Sequence, residues 1–260
     1  MNILNPDHNW HHQLSLALAS HKIEGHFFLE DGFQFLQTNK GLIVNLINLN
    51  HHFKPDDLIN LQEKYIQKGT KLVHLWEDVW KNCPDQVLAR IKSLMGNNTR
   101  IHGRKTKVFK ITKPVADAFL EKNHLQGPVS SRYKLGLFEK DDLVAVATFS
   151  ALRKMNHSEN YKSAELIRFA VKAGFSITGG LSKLIAYFAE NYKTNDIMTY
   201  ADRDWSAGEA YVTLGFAQTA VLEPNVYILD ANLNRRLKKD NQVAGQEVFN
   251  TGSLKFILRF

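Results

Sequence analysis

Blocks of apolar residues with different periods follow one another along the chain and predict its elements in order. Trp10 to Ser20 reads as helix. In HFFLEDGFQFLQ two short apolar-rich runs flank Glu30-Asp31-Gly32, the layout of a hairpin. Gly41 to Leu49 (GLIVNLINL) is almost continuously apolar, which predicts a strand buried on both faces. Pro55 opens a helix over Asp56–Lys68, with Leu58, Leu61 and Tyr65 at helical spacing, and Lys71–Trp76 (KLVHLW) is the next strand. A further helix, Asp85–Met95, turns Val87, Leu88, Ile91 and Leu94 inward and stops at Gly96. The predicted order is β-β-β-α-β-α.

Asn97 to Lys113 breaks this rhythm, being polar, basic and Gly-containing, and marks the expected domain junction. Beyond it the pattern predicts a helix, Pro114–Asn123, with Val115, Phe119 and Leu120 on one face. Strands follow at Tyr133–Glu139 and Leu143–Phe149, joined by Lys140-Asp141-Asp142, and at Ser163–Val171. A helix over Leu181–Tyr192 comes directly after Thr178-Gly179-Gly180. The chain ends with a strand at Asp196–Tyr200, a helix at Ala207–Leu214 closed by Gly215, and strand-like segments at Val226–Asp230 and Leu254–Phe260. The expected fold class is α/β (α+β).

Composition narrows the function. With 44% hydrophobic and 23% charged residues in 260, the chain is globular rather than disordered or fibrous. No apolar run approaches the roughly 20 residues that cross a bilayer, so no membrane association is expected. The start of the chain lacks the layout of a secretory signal, and one cysteine, Cys83, makes neither an internal disulfide nor a cysteine zinc site, so a cytoplasmic setting is expected. The net charge is +7, and Arg100–Lys113 (RIHGRKTKVFKITK) holds six basic residues and no acid. Arg100, Arg104, Lys105 and Lys107 are therefore candidate DNA-phosphate contacts, with a solvated basic surface as the alternative. His8, His11, His12 and His21 match no ligand spacing and are expected to bind no metal.

The candidate chemistry lies in the second half. Strand, Thr178-Gly179-Gly180-Leu181-Ser182-Lys183, helix is a phosphate-type turn: glycine permits close backbone approach and the helix start offers free N–H groups. Any tight β–α turn also uses glycine. Next, MTYADRDWSAGEAYVTLGF sets Asp202 at a strand end and Tyr211 in a helix closing at Gly215-Phe216. This succession resembles the GNAT N-acetyltransferases. The resemblance implies two adjacent strands that splay apart around acetyl-CoA or a related acyl-CoA, with its pyrophosphate on Thr178, Gly179, Gly180, Ser182 and Lys183. It also implies that Tyr211 protonates the departing thiolate. The turn reads Phe175-Ser176-Ile177-Thr178-Gly179-Gly180 where the family has Gln/Arg-x-x-Gly-x-Gly/Ala.

His124 in FLEKNHLQG, Arg168 in ELIRF, Asp202 in TYADRDW and Tyr211 together resemble the motif set of Mom-type phage DNA-modification proteins, over about residues 115–230. Those proteins decorate the exocyclic amine of adenine, a delocalised and stacked nucleophile that must be flipped out of the duplex. By that resemblance Asp202 and His124 are the base or amine-orienting pair, Arg168 a bidentate anchor for phosphate or carboxylate, and Arg203 and Trp205 substrate contacts. Plainer roles stand beside each: an ion pair with Glu165 for Arg168, a turn cap for Asp202, packing for Tyr211 and Trp205, and an ordinary loop histidine for His124.

In the first half, Lys68-Gly69 with Leu72–Trp80 (LVHLWEDVW) resembles the very-short-patch-repair type of restriction-endonuclease-like fold. Against that pattern the metal-binding acids fall at Gln34 and Asn45, the helix positions at Leu58 and Leu61, and only His52 persists. Neutral amides and leucines cannot replace anionic ligands to Mg²⁺, so a platform without cleavage chemistry is expected, with Glu77 and Asp78 in structural roles. The expected layout is a restriction-like domain at 1–98, a basic linker at 99–113 and a GNAT-like domain at 114–260. Transfer of an acyl-derived group to a base amine leads. The alternatives are a mobile-element endonuclease, a non-catalytic DNA-binding protein, and a small-molecule or protein N-acetyltransferase.

Overall fold

A computed structural model describes residues 9–154, 160–239 and 245–260, so His8 lies outside the described residues. The fold divides into two compact units, each returning to itself after an excursion. The first comprises the described residues up to Leu88, then Asp202–Ala207 and Val221–Ser253; the second comprises Ala89–Ala201, Gly208–Ala220 and Leu254–Phe260.

The chain opens with helix α1 (Asn9–Ser20) and the strands β1 (Gly25–Glu30), β2 (Phe33–Thr38) and β3 (Ile43–Ile47). Asp31 and Gly32 both adopt positive φ (52° and 82°), the two-residue turn whose twist suits an antiparallel hairpin, and Glu30 pairs with Phe33 across it. Every residue of β3 is buried, as its unbroken apolar run demands. Helix α2 (Pro55–Gln67) begins with Pro55, and the Asp57 carboxylate accepts the Lys54 N–H at 2.7 Å. It is the crossover that β4 (Leu72–Trp76) needs to pair parallel with β3. The sheet order is β1-β2-β3-β4. Helix α3 (Glu77–Asn82), not foreseen from the sequence, starts directly at the end of β4.

Helix α4 (Pro84–Leu94) leads to β5 (Thr99–His102) and β6 (Thr106–Lys110). The segment expected as a linker is thus built into the second unit: β5 pairs parallel with β11 (Phe175–Thr178), and β6 is the edge strand of the main sheet. Thr106 and Ile101 are buried there, and alternation of these inward side chains with exposed lysines and arginines hides a strand inside a basic run. In α5 (Lys113–Asn123), Leu120 turns inward and Phe119 packs beside it as expected, with Ala116 rather than the exposed Val115 completing the face; Ala116 and Leu120 pack on Val146 and Ala170. The main sheet continues with β7 (Tyr133–Glu139), β8 (Asp142–Phe149), the short β9 (Arg153–Lys154) and β10 (Lys162–Val171), followed by β11 and helix α6 (Gly180–Tyr192). Alternation along β8 decides the layers: Val146 faces α5, whereas Ala145, Ala147 and Phe149 face Leu184, Ile185 and Phe188 of α6.

Strand β12 (Asp196–Asp202) and the short helix α7 (Glu209–Thr213) precede β13 (Ala217–Leu222). The chain then returns to the first unit as β14 (Val226–Leu229), β15 (Arg235–Leu237) and β16 (Glu247–Phe249). Leu229, Val248 and Phe249 there pack on Ile47, Leu58 and Trp76. Strand β17 (Ser253–Arg259) closes the second unit by inserting between β12 and β13, giving the order β13-β17-β12-β10-β8-β7-β6.

Candidate active site

Strands β10 and β12 run parallel and pair over four residues only, from Ser163↔Asp196 to Leu166↔Thr199. Both then continue without each other. Strand β10 carries an irregularity between Leu166 and Arg168 and keeps its pairing to β8 as far as Val171, while β12 runs on to Asp202. The last rung is pinned by the buried Thr199, whose Oγ1–H donates to the Leu166 carbonyl at 3.0 Å. The result is a parting of two adjacent strands at their C-terminal ends, the place where α/β sheets commonly offer a crevice.

Arg168 lies immediately beyond this rung. Its Nε donates to the Gly127 carbonyl at 3.2 Å and its Nη1 to the Ile167 carbonyl at 3.0 Å, which fixes the plane of the guanidinium. Glu165 instead meets Arg153, at 3.5 Å. His124 ends α5; its carbonyl accepts the Gly127 N–H at 3.0 Å and its Nδ1 accepts the Gln126 N–H at 3.1 Å. The proton of a neutral ring therefore belongs on Nε2. Burial first, then the charges of Arg168 and Arg90, depress the His124 pKa to about 3. The expectation of a base titrating near neutrality is corrected: the His124 ring is held neutral.

Tyr211, in α7, packs its ring against Phe216 and Phe256, each with centroids 5.5 Å away. Burial first of all holds its phenol above the ordinary value, with the Thr199 side chain and the Arg90 charge acting the other way. Arg90, on α4, was not singled out in the sequence; an arginine within an ordinary amphipathic helix gives no local signal. His124, Arg168, Tyr211, Thr199 and Arg90 all belong to the second unit.

The turn before α6 has Gly179 at φ 74°, a left-handed conformation that suits glycine, and the helix has no side-chain cap on its first N–H groups. Thr178, Gly179 and Ser182 are exposed there, so an anion can reach these donors. Lys183 is directed elsewhere: its Nζ donates to the carbonyls of Gly103, at 3.0 Å, and Thr106. A Cβ on Gly103 would sit 2.9 Å from the Thr178 carbonyl oxygen, so the two turns are in backbone contact.

Asp202, Arg203 and Trp205 belong to the first unit. The Asp202 Oδ1 accepts the Asp204 N–H at 3.1 Å and its carbonyl accepts the Trp205 and Ser206 N–H groups, so it caps the turn that ends β12. Arg203 contributes its carbonyl to Gln62 at 2.7 Å, and Trp205 is buried. Asn45 and His74 are fully buried side by side, Nδ2 to Nδ1 at 3.0 Å, and His74 Nε2 donates to the Leu58 carbonyl at 3.2 Å. Gln34 accepts from Asn48 at 3.2 Å, and Leu58 and Leu61 are core. Glu77 accepts the Leu49 N–H at 2.9 Å and pairs with Lys81 at 2.7 Å; Asp78 is forked by Arg235 at 2.6 and 3.0 Å; His52 is exposed. Among the described residues no group of three or more His, Cys, Asp or Glu side chains is placed to hold a metal ion, and no helix is long and apolar enough to cross a membrane. Arg100, Arg104, Lys105 and Lys107 are all exposed, on β5, the turn after it and β6.

No protein-family model matches the chain, and no curated protein matches it. Among solved structures, an acetyltransferase from Bacillus subtilis in complex with CoA matches at 12% identity, covering 60% of this chain and 97% of that one, with a TM-score of 0.37. A ribosomal-protein alanine N-acetyltransferase from Escherichia coli matches at 15%, over 59% and 93%, with a TM-score of 0.39. A GNAT-family acetyltransferase from Elizabethkingia anophelis with acetyl-CoA bound matches at 11%, over 60% and 99%, with a TM-score of 0.36.

Proposed function

We propose that the second unit is a GNAT-like acyltransferase that moves an acyl-derived group from a CoA thioester onto an amine, and that the acceptor is a base amine of nucleic acid, adenine in DNA foremost. The observation that carries this reading is the parting of β10 and β12 after Leu166↔Thr199, with an uncapped 13-residue helix beginning shortly after β10. An extended thioester can lie between parted strands and pair with their unused backbone groups. Its phosphates suit the first N–H groups of α6 and the Ser182 hydroxyl, without Lys183.

The chemistry asks for three things that this unit supplies. The amine nitrogen attacks the thioester carbonyl carbon, and negative charge grows on the carbonyl oxygen; the neutral His124 Nε2–H and the guanidinium of Arg168 are donors suited to such charge. The C–S bond then breaks, and the thiolate takes the proton of Tyr211. The amine loses one proton in the exchange, which returns to the phenolate directly or through solvent.

A nucleic-acid acceptor is supported by the exposed basic side chains on β5 and β6, which suit phosphates without reading sequence. The first unit is proposed to be a restriction-endonuclease-like platform, supported by its mixed sheet order. Glu77 and Asp78 are engaged with Leu49, Lys81 and Arg235, which speaks against cleavage.

The deciding experiment is mass spectrometry of nucleosides from DNA of cells expressing the chain, beside cells expressing Tyr211→Phe. A new adenine-derived mass that is strongly reduced in the variant is the expected result. An unchanged nucleoside profile with soluble protein that binds acyl-CoA in calorimetry moves the acceptor to a small molecule or protein. No acyl-CoA binding overturns the reading.

A further inference from the structure

We propose that the β6 edge of the main sheet is a platform for a single strand of nucleic acid: the exposed ring of Phe109 takes an unpaired base by stacking, and Lys107 with the Arg104-Lys105 turn holds the adjoining phosphates. This deepens the nucleic-acid part of the reading above and rests on it.

The strand itself places the ring. Strand β6 is the last of its sheet, so its side chains have a neighbouring strand on one side only. Val108 packs into the core beneath α6, which turns Lys107 and Phe109, its neighbours in sequence, to the opposite face. There Phe138 of β7 meets the Phe109 ring edge to face, with centroids 5.6 Å apart and planes at 78°. One flank of the ring is thereby held, and Phe109 remains 50% exposed. A lone exposed phenylalanine is commonplace on a protein surface. Its charge setting distinguishes this one: Arg104, Lys105 and Lys107 are exposed, and among the described residues none of them is in an ion pair. Asp117, on the helix that covers this face, is already paired with Lys113. Lys110 belongs to the other face, over the Tyr192 ring at 5.4 Å.

The chemistry of these groups selects the partner. A phenylalanine ring has an aromatic face and no hydrogen-bonding group, so it stacks on bases of any identity. Inside a duplex each base already has neighbours above and below, and only an unpaired base has a face left for the ring. Lys107 stands two residues before Phe109, about 6.6 Å away along the strand, so the phosphate of a base on the ring falls within reach of the ammonium. The ring thus adds a preference for single strands to charges that hold the phosphates of either form. A single strand also presents the adenine amine free of pairing, without the cost of flipping it out of a helix.

The test uses the full chain and no acyl donor. Fluorescence anisotropy measures binding of a labelled DNA strand of about 16 nucleotides, and of the same strand annealed to its complement. Phe109→Ala is expected to weaken binding of the single strand about tenfold and of the duplex less than about twofold, with the salt slope unchanged. Phe109→Trp is expected to restore single-strand binding. Lys107→Gln is expected to lower the slope of log K against log salt by about 0.7 on the single strand. Circular dichroism and the melting temperature establish that each variant is folded; if Phe109→Ala does not fold, Phe109→Leu with the same readouts replaces it. A folded variant that loses less than about twofold on the single strand, or loses equally on strand and duplex, overturns the proposal, as does a wild type that binds no single strand. Absence of acyl-CoA binding would sink the acyl-transfer reading while this measurement is still decided. Loss of the single-strand effect alone leaves base modification in duplex DNA to the nucleoside analysis.

Discussion

Lys183 folds its ammonium back onto the Gly103 carbonyl, 3.0 Å away, on the same turn whose Cα is pressed against Thr178. A lysine in the first turn of a helix, beside two glycines, reads in sequence as a phosphate ligand; here it is a strut between α6 and the turn before β6. Lys183→Met is therefore expected to cost about 1–3 kcal/mol, the range for losing hydrogen bonds from a charged group. Faster hydrogen exchange in β6 and α6 would show it. The KM for acyl-CoA should change less than about threefold; an increase of tenfold or more with undisturbed exchange would return Lys183 to the phosphates.

The Asp78–Arg235 fork is buried in the first unit, with the Arg235 guanidinium also over the Trp76 and Tyr227 rings at 5.6 and 5.7 Å. Asp78→Asn leaves a buried cation without its partner and is expected to destabilise the first unit by about 3–5 kcal/mol. The paired change Asp78→Leu with Arg235→Met is expected to recover most of that. All four tryptophans of the chain, Trp10, Trp76, Trp80 and Trp205, lie in the first unit, so their fluorescence in urea reports its unfolding selectively. A cost below about 1 kcal/mol for the single change would place the pair among merely superficial ones.

His74 gives the first unit a pH dependence of known sign. Burial holds its folded pKa at about 3, against an ordinary value near 6.5. The unfolded chain thus binds a proton that the folded chain refuses, and stability falls as pH drops from about 6.5 towards 3, by up to about 1.4 kcal/mol per pH unit. Asp204 works in the opposite direction, since burial raises its carboxyl. The clean quantity is the difference between wild type and His74→Gln in tryptophan-monitored urea melts. The wild-type advantage should shrink steadily below pH 6.5, and a difference that does not vary with pH would refute this.

On the exposed basic strands, charge reversal at Lys105 and Lys107 is expected to weaken duplex DNA binding for every sequence alike. The slope of log K against log salt should drop by about 0.9 for each phosphate contact removed. Fluorescence anisotropy across a salt series measures it; an unchanged slope would mean that these side chains face solvent only.

Much of the fold was legible because its signals are local. Asp31-Gly32 at the hairpin, Pro55 at the start of α2, the unbroken apolar run of β3 and Gly96 after α4 each act within a few residues. The misread segment, Asn97–Lys113, shows the limit. Strands β5 and β6 are identified by partners, β11 and β7, that lie about 25 or more positions further on, and their exposed basic side chains masked the inward alternation. In α5 Phe119 and Leu120 were legible as the inward side, but that Ala116 rather than Val115 joins them depended on the seat offered by Val146 and Ala170.

For the candidate site, the chain by itself supplied the reactive side chains, since Tyr211, Arg168 and His124 are chemistry that no packing can create. Only the folded arrangement decided their states. It set His124 in surroundings, with Arg168 and Arg90 nearby, that keep its ring neutral; it sent the Lys183 ammonium to backbone carbonyls; and it made Asp202 a turn cap in the other unit. Charge state and hydrogen-bond partner are properties of a residue's surroundings, and surroundings are assembled from parts of the chain that are distant in sequence.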